Sequence, residues 1–320
     1  MISIAGLGVS GSYLLRRFVG AGYDVRGFEP RRPDFYLPCG YAVNLRSMGN
    51  YMKNVGIEID PFIESESHNV EIASTDTSYH FGSLGLGTVD KNRLIRNLLE
   101  GMPVEHAQLH SASGHITVDA TGISRSLLGP AREDFTMIAK EYLCNDAEHS
   151  DFYFRYFPGG NGYYWEFPLR NRWHIGAGSP NLDIIEEELG KRDHILVTGR
   201  RIRLKPLFNG IRNGNVFGIG EAIGAVSPIT GEGIMPSIKT AECLFEAVSR
   251  YSDLQSVEEA YSRCVRKEIG YFEDLFALLM DARSGNLRKI RNLRAGLIAG
   301  RDFREFGIDF RLTKVLSQFI

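Results

Sequence analysis

From Asn215 to Met235 a short apolar stretch, Val216–Ile219, runs into Gly220-Glu221-Ala222. Pro228 and a Gly231-x-Gly233-Ile234 turn follow, ahead of a helical pattern that begins near Pro236. An acid at a strand tip can accept hydrogen bonds from sugar or polyol hydroxyls. A glycine-rich turn at a helix N-terminus can cradle an anion on free backbone N–H groups. The chain opens on a second turn of this kind, Gly6-x-Gly8-x-x-Gly11. Two such sites at opposite ends of one chain suggest one long cofactor held from both sides, and FAD fits that description better than NAD.

The first turn follows an apolar strand, Met1–Ala5, and precedes a helix over Ser10–Gly20. A second strand, Asp24–Phe28, ends at Glu29. Strand, glycine turn, helix, strand and acid form a dinucleotide-binding opening. Glu29 suits a ribose 2′-hydroxyl, because a carboxylate repels a 2′-phosphate; the alternative is a solvated strand end. In the middle of the chain a strand ends in Asp119-Ala120-Thr121-Gly122. Alone this reads as a turn capped by Asp119; beside the other two turns it reads as a third contact to the same cofactor.

Tyr163-Tyr164-Trp165-Glu166-Phe167-Pro168 is the most aromatic segment. In a strand, Tyr163, Trp165 and Phe167 share one face, while Tyr164 and Glu166 point the other way. That face is either packed on a helix or is the wall of a long apolar pocket. Pro168 suits the strand's end.

These residues need elements to hold them. The spacing predicts loop and short helix over 33–60, hairpin strands over 68–86, a helix over Asp90–Glu100, and strands near 103–110 and 115–119. Alternation over 135–179 predicts an antiparallel sheet. A helix over Ile184–Arg192, a strand over Leu196–Leu204 and helices after 236 complete the pattern. The class expected is α/β: a Rossmann-like cofactor domain with an inserted antiparallel β-sheet and a helical C-terminus. The cofactor domain is discontinuous, over 1–60, 88–134 and 200–250. The β-rich part spans 61–87 and 135–199, and the helical region 251–320.

The net charge of −2 argues against a whole-protein nucleic-acid role. Cys39, Cys144, Cys243 and Cys264 lie far apart in sequence with no CxxC, so no metal or iron–sulfur site is expected and a reducing cytoplasm is the default. The first strand starts at Ile2, which leaves no room for a signal peptide. Residues 283–320 hold nine basic side chains, Arg283, Arg288, Lys289, Arg291, Arg294, Arg301, Arg304, Arg311 and Lys314, against three acids. Leu287, Ile290, Leu293, Leu297 and Ile298 are interleaved at helical spacing. Two readings fit: an amphipathic helix docked on the core, or a surface that meets anionic lipid headgroups as a peripheral membrane contact.

Tyr163-x-Trp165-x-Phe167-Pro168 resembles the YxWxFP motif of the geranylgeranyl reductase family of flavoproteins. Pro228-Ile229-Thr230-Gly231-Glu232-Gly233-Ile234 resembles that family's PxTGxGI stretch, Glu29-x-Arg31 its acidic-x-basic pair, and Cys39-Gly40 a Cys-Gly near the flavin of archaeal members. The resemblance covers essentially the whole chain, and its motifs are specific only in combination. Glu221 stands where most relatives have Asp, and Lys91 where an Arg is usual. The resemblance implies FAD held by Gly6, Gly8, Gly11, Glu29, Arg31, Cys39, Gly40, Lys91, Asp119, Gly122, Gly220, Glu221, Pro228, Gly231, Gly233 and Ile234. It implies reduction of isoprenoid double bonds on a polyprenyl lipid, with Cys39, Tyr163, Trp165 and Phe167 at the reacting centre. Cys39 reads equally well as a small loop residue. With no second GxGxxG, electrons would come from an external donor, ferredoxin or NAD(P)H. The alternative is a flavin monooxygenase or halogenase, whose Trp-x-Trp-x-Ile-Pro segment Tyr163–Pro168 echoes.

Overall fold

A computed structural model describes residues 1–32, 35–36, 38–75, 77–286 and 293–310. In chain order the elements are β1 (Ile2–Ala5), α1 (Val9–Gly20), β2 (Val25–Phe28), β3 (Ala42–Asn44), α2 (Leu45–Lys53), β4 (Ile63–Glu66), β5 (Asn69–Ala73), β6 (Ser78–Gly82), β7 (Leu86–Val89), α3 (Lys91–Leu99), β8 (Val104–Glu105) and β9 (Ile116–Asp119). Then come β10 (Thr136–Cys144), β11 (Phe152–Tyr156), β12 (Tyr163–Pro168), β13 (Trp173–Ser179), α4 (Leu182–Leu189), β14 (Leu196–Arg203), β15 (Arg212–Asn213), β16 (Val216–Gly218), α5 (Ile234–Arg250), α6 (Leu254–Ile269), α7 (Phe272–Arg283) and α8 (Leu293–Phe306).

The first sheet runs β15-β16-β9-β1-β2-β8 and is parallel apart from the β15–β16 pair. β1 and β9 are buried at every residue, as parallel strands covered on both faces must be. α1 lays Tyr13, Leu14, Leu15 and Phe18 on this sheet, in one core with α5 and α6. The second sheet, β14-β10-β13-β12-β11-β5-β6, is antiparallel except where β11 meets β5. β3-β7-β4 form a small third sheet beside it. The α/β class, the inserted antiparallel sheet and the helical C-terminal part are as the sequence predicts.

Several expectations need correction. The strand expected near 103–110 is only Val104–Glu105, and the helix expected over 184–192 begins earlier, where Asn181 caps Asp183 N–H, and stops before Gly190. The cysteines do not all stay apart. The hairpin of α5 and α6 brings Cys243 against Cys264, and the two form a disulfide; positions distant in sequence meet because the helices run antiparallel. Of the basic C-terminal stretch, Arg288, Lys289, Arg291, Arg311 and Lys314 lie outside the described residues, as do Leu287 and Ile290. Within them, Arg283 donates to the Gly160 carbonyl and Arg301 sits 4.2 Å over the Tyr271 ring. Phe303 and Phe306 of α8 pack into the core behind the second sheet, while Leu297 is exposed. Among the described residues no helix is long and apolar enough to cross a membrane.

Candidate functional site

The opening turn is built by glycine. Gly6 has φ +85°, and a Cβ there would come 2.6 Å from the Ala120 carbonyl. A Cβ at Gly11 would run into the Gly6 carbonyl. These two glycines seat the first turn of α1 against the turn after β9, and neither lines a cavity. Gly8 differs: it caps α1 with no side-chain cap, and a Cβ on it would meet nothing within 4 Å. The space beside Gly8, Val9 and Ser10 belongs to a cavity of about 450 Å³. The start of α5 opens on the same cavity, through Gly233, Ile234 and Ser237, and Gly233 too lacks a side-chain cap. The start of α1 thus opens free N–H groups on this space, a favourable setting for negative charge, whereas at the start of α5 the Glu232 carboxyl accepts from Met235 N–H and Pro236 has no N–H to give.

Glu29 lies at the end of β2. It accepts from Leu7 N–H at 2.9 Å and from the Arg31 guanidinium. Burial raises its pKa, but Arg31 and the Leu7 N–H outweigh burial and hold the carboxyl below its ordinary value. Glu29 lines a second cavity of about 680 Å³. Arg31 and Phe35 line both. The two cavities therefore adjoin and together make a long, two-lobed site.

The aromatic strand forms the other wall. Tyr163, Trp165 and Phe167 all line the first cavity, with ring centroids spaced by 5.7 and 6.1 Å along the strand. Tyr164 and Glu166 face the opposite side, as strand alternation requires. The Tyr163 hydroxyl abuts Gly231, which has φ +69° and no room for a Cβ. Burial pushes that hydroxyl's pKa upward, so it gives up its proton reluctantly.

Cys39, Gly40, Lys91, Gly122 and Glu221 also line this cavity. Asp119 does not. Its carboxylate is fully buried and takes N–H bonds from Thr121, Leu127 and Leu128 and an O–H bond from Thr121. It caps the turn after β9, as the first reading has it, and it lies away from the cavity. Pro228 is buried outside the cavity. Gly220 donates to Thr240 Oγ1 and likewise does not reach the cavity. The Glu221 carboxylate is paired with Arg200 and accepts from Arg203 N–H, so it clamps β14 rather than standing free for hydroxyls.

Sequence reasoning missed Glu141, His174 and Tyr36. Glu141 lines the cavity, is 5% exposed, and neither of its oxygens completes a hydrogen bond. Its Oε1 lies 3.8 Å from His174 Nδ1, and His174 Nε2 is 3.2 Å from the Tyr36 hydroxyl. Burial pushes the Glu141 carboxyl up to about 8; the Lys91 ammonium, and the Trp165 indole N–H that faces it without completing a hydrogen bond, oppose this only in part. Burial also lowers Lys91 and takes His174 down to about 4. Trp165 Nε1 and His174 Nδ1 are orphaned as well, so the unsatisfied polar atoms of this corner gather at one end of the aromatic wall. A signal did exist: Lys140 and Glu141 are adjacent in a strand, so alternation sends one charge to each face, and the face of Met137, Ala139 and Glu141 is the buried one.

No family model and no curated protein matches the chain. Solved structures do. A geranylgeranyl bacteriochlorophyll reductase-like protein from Thermoplasma acidophilum is 16% identical with a TM-score of 0.72, over 99% of this chain and 94% of that one. A probable FAD-dependent monooxygenase from Pseudomonas aeruginosa is 17% identical with a TM-score of 0.68, over 88% and 96%. A flavin-dependent brominase is 16% identical with a TM-score of 0.69, over 93% and 92%. At these identities the likeness establishes the fold: a Rossmann-like α/β domain carrying an antiparallel sheet.

Proposed function

We propose that this chain is an FAD-dependent reductase that saturates carbon–carbon double bonds of isoprenoid chains. The observation that carries the reading is one cavity bounded by the uncapped start of α1 and by the wall of Tyr163, Trp165 and Phe167. The chain's residues fit FAD. Glu29 and Arg31 sit at one lobe for an adenosine, the open side of Gly8 and the start of α1 suit pyrophosphate, and the start of α5 suits the polar edge of a flavin. All three solved neighbours share this fold, and two are named as flavin- or FAD-dependent.

Bound and reduced, FAD supplies hydride. The protein's part is to bind, orient and keep water out. The aromatic wall lines a prenyl chain and lends its π-faces to the positive charge that develops at a tertiary carbon. An external donor, ferredoxin or NAD(P)H, delivers electrons. The substrate is a polyprenyl lipid met at a membrane surface, with the basic C-terminal stretch contributing attraction to anionic headgroups that is screened over about 8 Å at physiological ionic strength.

Acid precipitation should release a yellow flavin; a protein that stays colourless after refolding with FAD contradicts the reading at its first step. With geranylgeranyl lipids and dithionite, without oxygen, each reduced double bond should gain two hydrogens by mass. The monooxygenase and brominase neighbours favour a second reading, oxygen-dependent chemistry on an aromatic compound. Product formed only with oxygen would replace the reductase by that alternative.

A further inference from the structure

The cavity holds a carboxyl that folding has buried without satisfying. Glu141 sits on β10 between Gly176 of β13 and Thr198 of β14, its register partners. Alternation puts it on the same face as Ala139, which lines the cavity with it. The charged and titratable groups around it are Lys91 from α3, His174 from β13 and Trp165 from β12, with Cys39 and Arg200 beside Lys91. An ionised carboxylate in such a place would be costly without partners, and Glu141 has no hydrogen-bond partner. A neutral carboxylic acid there is a proton held ready at the aromatic wall. His174 and the half-buried Tyr36 then extend from it toward the surface.

We propose that Glu141 is the proton donor of the reaction, with His174 and Tyr36 returning a proton to it from solvent. The inference rests on the reductase reading above. The atoms balance as follows. The π bond of the alkene opens, one carbon takes hydride from the reduced flavin, and the other takes the proton of Glu141. The flavin is left oxidised and the alkene reduced by two electrons. The Glu141 carboxylate then takes a proton from His174 Nδ1, while Nε2 takes one from the Tyr36 hydroxyl, which water restores; His174, left as the Nε2–H tautomer, returns to the Nδ1–H form before the next turnover. His174 can do this because burial keeps it neutral, with one nitrogen to give and one to receive.

The test uses the full chain loaded with FAD. In anaerobic single turnovers with a digeranylgeranyl glycerolipid, Glu141→Gln should slow alkene reduction by about a hundredfold or more, with FAD content and lipid Kd within about twofold of wild type. The wild-type rate should fall as pH rises through the region near 8 where Glu141 deprotonates, and the residual Glu141→Gln rate should not. His174→Gln should spare the first turnover and slow later ones, since the first proton is already on Glu141.

A second readout needs no turnover. The infrared difference between wild type and Glu141→Gln, on oxidised protein without lipid, should contain a neutral-carboxyl band at pH 7 that bleaches with a midpoint near 8. Glu232 and Asp302, whose carboxyls burial also raises, cancel in that difference. Glu141→Gln reducing lipid at the wild-type rate, or a missing band, overturns the donor role and leaves the reductase reading standing. Equal slowing of first and later turnovers in His174→Gln overturns the relay. Wild type that reduces no prenyl lipid sinks the reductase reading, and the donor role with it.

Discussion

The seven-stranded sheet buries a glutamate on each of its faces and treats the two in opposite ways. Glu166, on the face away from the cavity, is completely buried. It accepts from the Tyr164 hydroxyl at 2.6 Å, from His149 Nδ1 at 3.0 Å, and from the backbone N–H groups of Glu148 and His149. Glu141, on the cavity face, has no hydrogen-bond partner. Buried polar groups are normally satisfied, so the first belongs to the architecture. The second is an exception that folding alone does not explain. The same contrast divides the glycine turn, where Gly6 is closed on protein and Gly8 is open to the cavity.

The contrast can be broken by substitution, and the largest effect should come from the filled side. Glu166→Ala strips four donors of their acceptor and should destabilise the protein by roughly 2–4 kcal/mol in urea unfolding. A loss below about 1 kcal/mol would mean the network is ornamental. Next, Gly6→Ala must accommodate a positive φ and a clash with Ala120, costing more than about 1 kcal/mol of stability. Gly8→Ala should fold normally and lose about tenfold or more in FAD affinity, about 1.4 kcal/mol. Equal FAD affinity in Gly8→Ala and wild type would deny that the open side of Gly8 faces the cofactor.

Trp165→Phe removes an orphaned indole N–H and some ring volume. Its thermal stability should change by less than about 1.5 kcal/mol, while lipid turnover drops more than FAD content does. The smallest effect is a slope. Glu141 keeps its proton in the folded protein to about 8, against an ordinary value of 4.5. Folding therefore takes up a proton between those values, and this group's contribution to stability falls as pH rises through that window. In Glu141→Gln the decline should be shallower, so that the variant gains on wild type as pH rises from 4.5 to about 8. An unchanged slope would show that Glu141 does not hold its proton in the fold.

Much of the scaffold was legible because its signals are local. The glycine spacing at Gly6, Gly8 and Gly11, the acid at Glu29 and the period-2 run Tyr163–Phe167 each act within one strand or turn. The aromatic face pointed where alternation sends it. Asp119 was legible only as an ambiguity, since a turn cap and a ligand contact use the same residue type, and its donors at Leu127 and Leu128 come from the following loop. That Glu221 is paired was not legible, because its partners, Arg200 and Arg203, arrive on β14, a strand of the other sheet.

By itself, then, the sequence determined the order of elements, the glycine turns at two helix starts and the composition of the wall, all consequences of backbone preference and short-range periodicity. Tertiary structure alone decided which carboxyls found partners. Glu141, Lys91, His174 and Trp165 come from four separate elements, and only the packing of those elements excludes water from the corner where they meet. The same holds for Cys243 and Cys264, joined across a helical hairpin. Whether a buried charge is satisfied depends on donors far away in the chain, and no local pattern carries that information.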